Sequence, residues 1–295
     1  MNTEQMTAKI ATGNGFIAAL DQSGGSTPKA LRGYGVEDSE WSGDDEMFAE
    51  IHKMRSRVIT APSFGNGKVI GAILFEKTMD GEVDGKPAPD ALKDRGVVPF
   101  IKVDQGLEDE ANGVQMMKPL DKLPALLEKA VAKGMFGTKM RSVIKSANAG
   151  GIAAIVAQQF EVGKQILDAG LVPMLEPEYD ITAADRAEGE QVLLAEIMKG
   201  LDALGDRMVM LKLSIPVEPG LYTPAINHPN VLRVVALSGG YSTDDACEHL
   251  AKNPGMIASF SRGLLQDLRK GQSDDEFDAA LGGAIDQICT ASMAG

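Results

Sequence analysis

The chain has 295 residues, 44% of them hydrophobic, and a formal net charge of −13. That length suits one large α/β domain, and the acidic balance argues against nonspecific binding to nucleic acid or to an anionic membrane. No stretch approaches the roughly 20 apolar residues of a membrane helix, and the start, MNTEQMTAKI, lacks the apolar centre of a secretory signal, so a cytoplasmic protein is expected.

In chain order, short runs rich in β-branched and apolar residues alternate with helical stretches. The runs are FIAALD (16–21), VIGAILFE (69–76), VPFIKVD (98–104), KMRSVIK (139–145), VPMLEPE (172–178), VMLKLSIP (209–216), RVVALSG (233–239) and MIASFSR (256–262). Most are followed by a helix-like segment, so the pattern predicts a parallel α/β barrel, the (β/α)8 TIM barrel, as a single domain over 1–295. A doubly wound open sheet is the main competitor. The segment from Pro28 to Met54 is polar and irregular and reads as a loop plus a helix inserted after the first strand. Thr182 is placed to cap the helix carrying Val192, Leu193 and Ile197. Ser242 or Thr243 is placed to cap a helix whose first turn holds Asp244 and Asp245.

Two cysteines, Cys247 and Cys289, make no disulfide framework. The three histidines, His52, His228 and His249, are scattered without HxH or HExxH spacing. A dedicated zinc or iron site is therefore not expected, although carboxylates leave magnesium open.

The chemistry lies at the strand ends. Asp21, Glu76, Lys102 with Asp104, Lys139 with Arg141 and Lys145, Glu176 with Glu178, Lys212 with Ser214, Ser238, and Ser261 with Arg262 all fall in the C-terminal halves of predicted strands. Burying unpaired charge costs several kcal/mol, whereas the carboxyl ends of barrel strands converge on one mouth where catalytic groups sit. Structural ion pairs closing the barrel are the alternative. By the period of two, Lys139, Arg141 and Lys145 share one face, as do Glu176 and Glu178.

Lys212 is flanked by Met210, Leu211 and Leu213. At an ordinary pKa of about 10.4, only a few amines in ten thousand are neutral at pH 7. Burial and nearby cations, with Lys139 and Lys102 as candidates, lower that value and make an amine nucleophilic toward a carbonyl carbon. Alternatively, the lysine head reaches solvent at the strand end. An imine-forming enzyme also needs an acid/base group, and Glu176 in LEPE is the candidate. Pro177 is expected to break the strand and re-aim Glu178 toward the same mouth. Either carboxylate could instead neutralise a lysine.

Two segments suit phosphate. SGG (238–240) follows an apolar strand and precedes a capped helix, and SFSRG supplies Ser261 and Arg262 about twenty residues later. Ser23, Ser26 and Lys29 of DQSGGSTPK form a second cluster. Two anion sites flanking a lysine suggest a substrate phosphorylated at both ends.

Together, LDQSGGSTPKAL, PFIKVDQG, TKMRSVIK, LEPE, MLKLSIP, ALSGGYS and SFSRG resemble, in order, the strand-end motifs of class I fructose-1,6-bisphosphate aldolases, closest to the shorter bacterial branch. The similarity runs from about residue 10 to about residue 270. It implies a glycolytic lyase that cleaves fructose 1,6-bisphosphate into two triose phosphates through a Schiff base, with no metal cofactor. Lys212 would carry the imine and Glu176 the acid/base step. Asp21 would polarise the C4 hydroxyl and orient the lysines, and Lys139 would support charge and proton transfer. Ser238, Gly239, Ser261 and Arg262 would hold the 1-phosphate. Ser23, Ser26, Lys102 and Arg141 would lie toward the 6-phosphate end.

Two departures stand out: the chain ends in TASMAG without the tyrosine of the animal enzymes, and Ala30 replaces an arginine of the longer members. The partners implied are sugar phosphates, with nucleic acid and membrane excluded and a homo-oligomer left open. The rival readings are another Schiff-base barrel enzyme acting on a smaller or singly phosphorylated sugar, and a non-enzymatic scaffold.

Overall fold

Eight parallel strands follow one another in both sequence and space: β1 (Phe16–Leu20), β2 (Val69–Leu74), β3 (Val98–Lys102), β4 (Gly137–Ile144), β5 (Val172–Tyr179), β6 (Val209–Ser214), β7 (Val231–Leu237) and β8 (Met256–Ala258). This computed structural model describes residues 1–294. Each predicted run overlaps one of these strands. A backbone bond from Ala19 N to Phe260 O, 3.2 Å long, links the first strand to the segment after the last, so the order closes into a (β/α)8 barrel.

Alternation along the strands sorts side chains between two cores. Ile17 and Ala19, Val98 and Phe100, Met174, Met210, Val235 and Ile257 fill the barrel interior, where helix α1 (Thr3–Thr12) plugs one end with Met6 and Ile10. The opposite faces, including Phe16, Ala18, Leu211 and Leu213, pack against the surrounding helices. The consequence for the site is a matter of register. Asp21, Lys102, Glu176, Lys212 and Ser259 each lie two residues beyond an interior apolar residue, so they turn inward at the carboxyl ends.

Several expectations are corrected. The segment after β1 is not irregular: it forms α2 (Ser26–Tyr34) and α3 (Gly43–Thr60). Met47, Ile51, Met54 and Val58 make the buried stripe of α3. Pro177 does not break β5. Pairing with β6 ends at Leu175, ahead of the proline, while pairing with β4 continues to Tyr179. Thr182 caps no helix, because its hydroxyl donates to Asp180 and helix α4 (Arg186–Asp202) begins later, with Asp185 at the cap position. Ser242 does cap α5 (Thr243–Leu250), accepting from Asp245 N.

Candidate active site

Of the inward polar residues, Asp21, Glu176, Lys212 and Ser259 meet in a cavity of about 610 Å³ at the carboxyl ends of the strands. Lys212 reaches it from β6 and is only 4% exposed, which removes the alternative of a head group in solvent. Its Nζ lies 3.0 Å from Glu176 Oε1. The other oxygen of that carboxylate, Oε2, lies 2.8 Å from Lys139 Nζ. Lys139 in turn lies 2.8 Å from Asp21 Oδ2. The two amines therefore do not face one another; they share one carboxylate. Two buried cations are neutralised by the buried Glu176 and the partly buried Asp21, which is what permits this cluster in a largely dry interior.

The protonation states follow from that geometry. Burial pushes Asp21 up, but the ammonium groups of Lys139 and Lys212 outweigh it and hold the carboxyl well below the ordinary carboxylate range. Glu176 is likewise raised by burial and more strongly lowered by Lys139 and Lys212, for a net decrease. Burial alone would lower Lys139, yet Asp21 and Glu176 hold it well above the ordinary lysine value. Both carboxylates are thus ionised at neutral pH and Lys139 is charged.

Charge in the cavity opposes that of the whole chain. Its wall carries six cations, Lys29, Lys139, Arg141, Lys212, Arg262 and Arg269, against three anions, Asp21, Glu176 and Glu178. A chain of net charge −13 thus concentrates positive charge in one cleft, as an anionic substrate requires. At one end are Ser238, Gly239, Ser261 and Arg262. Gly239 has φ +60, and a Cβ there would come 2.6 Å from Ile181 Cγ2, so only glycine fits this turn. Ser26, Lys29 and Arg141 line the same cavity.

Not every candidate joins this set. Ser23 and Lys102 line an adjoining pocket of about 670 Å³ with Glu76, Lys122 and Lys129. Lys102 is held there by Asp104, at 2.7 Å from Oδ1. Arg141 pairs with Glu178, Nε to Oε2 at 2.5 Å. Lys145, expected on the same face as Lys139, lies past the end of β4 and pairs with Asp180 at 2.8 Å instead. Glu76 opens a short helix after β2 and binds Lys129 at 2.6 Å. Gln22, Gln266 and Arg269 line the cavity but were absent from the sequence candidates. Arg55, behind Gln22, was missed as well, although an arginine next to the apolar stripe of α3 is a visible signal. Among the described residues, no group of three or more His, Cys, Asp or Glu side chains is placed to hold a metal ion. No helix among them is long and apolar enough to cross a membrane.

A solved structure of fructose-bisphosphate aldolase from Plasmodium falciparum, in complex with TRAP and a small molecule inhibitor, is similar in fold, with a TM-score of 0.80. The match covers 99% of this chain and 95% of that one at 20% identity. A family model described as fructose-bisphosphate aldolase class-I matches residues 3–230. With most of its length inside that match and its barrel built in the same way, the chain belongs to the class-I fructose-bisphosphate aldolase family.

Proposed function

We propose that the protein catalyses the reversible cleavage of fructose 1,6-bisphosphate to dihydroxyacetone phosphate and glyceraldehyde 3-phosphate, through an imine on Lys212 and without a metal, in the cytoplasm. The observation that carries this reading is the run Lys212–Glu176–Lys139–Asp21, buried at the centre of a cationic cavity.

Lys212 passes a proton to Glu176 and attacks the C2 ketone of the open-chain sugar. The resulting carbinolamine is neutral, so Glu176 then faces one cation where it had two. Its affinity for a proton rises at the step where it must give one to the departing hydroxyl. Loss of water leaves an iminium, which draws the C3–C4 bonding electrons as the C4 hydroxyl loses its proton near Asp21 and Lys139. Glyceraldehyde 3-phosphate departs, the enamine takes up a proton at C3, and hydrolysis returns the amine and dihydroxyacetone phosphate.

Ser238, Gly239, Ser261 and Arg262 would seat the 1-phosphate, with Ser26 and Arg141 toward the 6-phosphate. Ser23 and Lys102 would join that end from the adjoining pocket once substrate draws Lys102 from Asp104.

The test is reduction with borohydride in the presence of fructose 1,6-bisphosphate, followed by mass spectrometry. The expected adduct is on Lys212 and is absent in Lys212→Ala. An adduct on a different lysine, or turnover abolished by EDTA with no adduct at all, would overturn the mechanism.

A further inference from the structure

Arg55 is the largest side chain fully buried in the protein, and among the described residues it has no carboxylate at ion-pair distance. Burial pulls its guanidinium down to about 10, opposed by the field of Asp21, so it stays charged at neutral pH. A buried cation held by neutral acceptors is expensive, and its hydrogen bonds show what it organises. Nη1 donates to Thr78 Oγ1 at 2.7 Å. Nη2 donates to Gln22 O at 2.5 Å and to Gln22 Oε1 at 3.2 Å.

A guanidinium can only donate, so the amide oxygen of Gln22 must face it. The amide nitrogen then points the other way, to Ala19 O at 3.2 Å and Ser261 Oγ at 2.5 Å. The Ala19 carbonyl can only accept, so the same orientation is required from both ends. Ser261 Oγ is therefore the acceptor in its bond with Gln22. Its single proton stays free, and Ser261 lines the cavity beside Gly239 and Arg262.

We propose that Arg55 and Gln22 are positioning residues that set the direction of the Ser261 hydroxyl, so that it donates to a phosphoryl group seated against Ser238, Gly239 and Arg262. This rests on the aldolase reading for the identity of that phosphoryl group. The relay runs from helix α3 through the β1 loop to the segment after β8, and its polarity is one-way: cation to amide to hydroxyl to anion. A purely structural account also exists. The Gln22–Ser261 bond crosses the seam where β8 meets β1, alongside the bond from Ala19 N to Phe260 O. A seam fastener acts on melting temperature, whereas a polarity relay acts on anion affinity.

The deciding probe is inorganic phosphate, titrated calorimetrically against the full chain and its variants. Gln22→Met keeps the bulk of the side chain but removes the donor to Ser261, and it should weaken phosphate binding about tenfold, the worth of one hydrogen bond to a charged ligand. KM for the bisphosphate should rise by a similar factor, with a smaller change in kcat. Arg55→Lys keeps a buried cation but offers fewer donors, and should give an intermediate loss. In a Ser261→Ala background, Gln22→Met should have no further effect on phosphate.

A folded Gln22→Met that binds phosphate within about twofold of wild type overturns the proposal, because a single lost hydrogen bond should exceed that. So does a full additional loss on top of Ser261→Ala, and so does failure of both Gln22→Met and Arg55→Lys to fold, which would assign the pair to the seam. The titration contains no sugar. Absence of an adduct on Lys212 would therefore defeat the aldolase reading alone, while a wild-type adduct with unaltered phosphate affinity would defeat the relay alone.

Discussion

Lys212 Nζ lies 3.0 Å from Glu176 Oε1, and both side chains are buried. Because Lys139 and Lys212 hold Glu176 below its ordinary value, in the proposed mechanism it enters the reaction as a carboxylate able to accept the proton of Lys212. Glu176→Gln keeps the shape and removes that capacity. Imine formation should slow by about 10²–10⁴, the usual contribution of a positioned acid/base group. Rapid quenching with borohydride at successive times reads this directly. Accumulation of the adduct at the wild-type rate would show that another group moves the proton.

Much of this arrangement is legible in the sequence. The eight strands announce themselves as apolar runs, and the period of two places Lys212 on the same face as Met210, hence inside the barrel. What was not legible depends on distances between strand ends. Nothing in the spacing of PFIKVDQG says that Asp104 folds back to hold Lys102, or that Ser23 turns with it into the adjoining pocket. Pro177 misled because a missing N–H ends a strand only where a partner needs it, and pairing with β6 has already stopped at Leu175. Arg55 and Gln22 escaped notice because the value of a buried arginine lies in its acceptors, which belong to another segment.

The cluster makes stability depend on pH with a definite sign. Asp21 and Glu176 have lowered values in the fold, so their contribution is present above the unfolded values of about 4 and is lost as pH falls through the folded ones. Lys139 is raised, so its contribution is present below about 10.4 and lost as pH rises toward its folded value. Asp21→Asn should therefore lower the melting temperature at pH 7 and show a shrinking difference from wild type below about pH 4. Thermal melts of both proteins from acid to neutral pH supply the comparison. A constant offset across that range would mean that Asp21 acts through packing and not through charge.

The contrast between a cationic cleft and an acidic chain predicts a salt effect. Arg262 is exposed at the end of the cavity lined by Ser238, Gly239 and Ser261, the proposed phosphate seat, and takes no part in the Lys212–Glu176–Lys139–Asp21 run. Arg262→Ala should raise KM for the bisphosphate by about 10–100-fold, the range for losing a charge-assisted contact, without loss of the Lys212 adduct at saturating substrate. Raising ionic strength to about 1 M, where the screening length falls to roughly 3 Å, should raise the wild-type KM more than that of the variant. Parallel salt dependences would place Arg262 outside the anion path.

A different pair measures the cost of buried charge away from the chemistry. Arg186 and Glu190 are nearly inaccessible, joined at 2.7 Å from Nε to Oε1, and the second carboxylate oxygen accepts from Val217 N at 2.8 Å. Burial raises Glu190 even though Arg186 opposes it. In Arg186→Leu the carboxylate loses its counter-ion but stays in the dry interior, so unfolding free energy should fall by about 3–5 kcal/mol. With its folded value driven higher still, Glu190 becomes more destabilising as pH rises past the unfolded value near 4.3. The deficit should therefore be smallest in mild acid and grow toward neutrality. Urea melts at pH 5 and pH 8 settle it: an equal loss at both would mean that Arg186 matters for its hydrogen bonds to Ile215 O and Tyr241 and not for its charge.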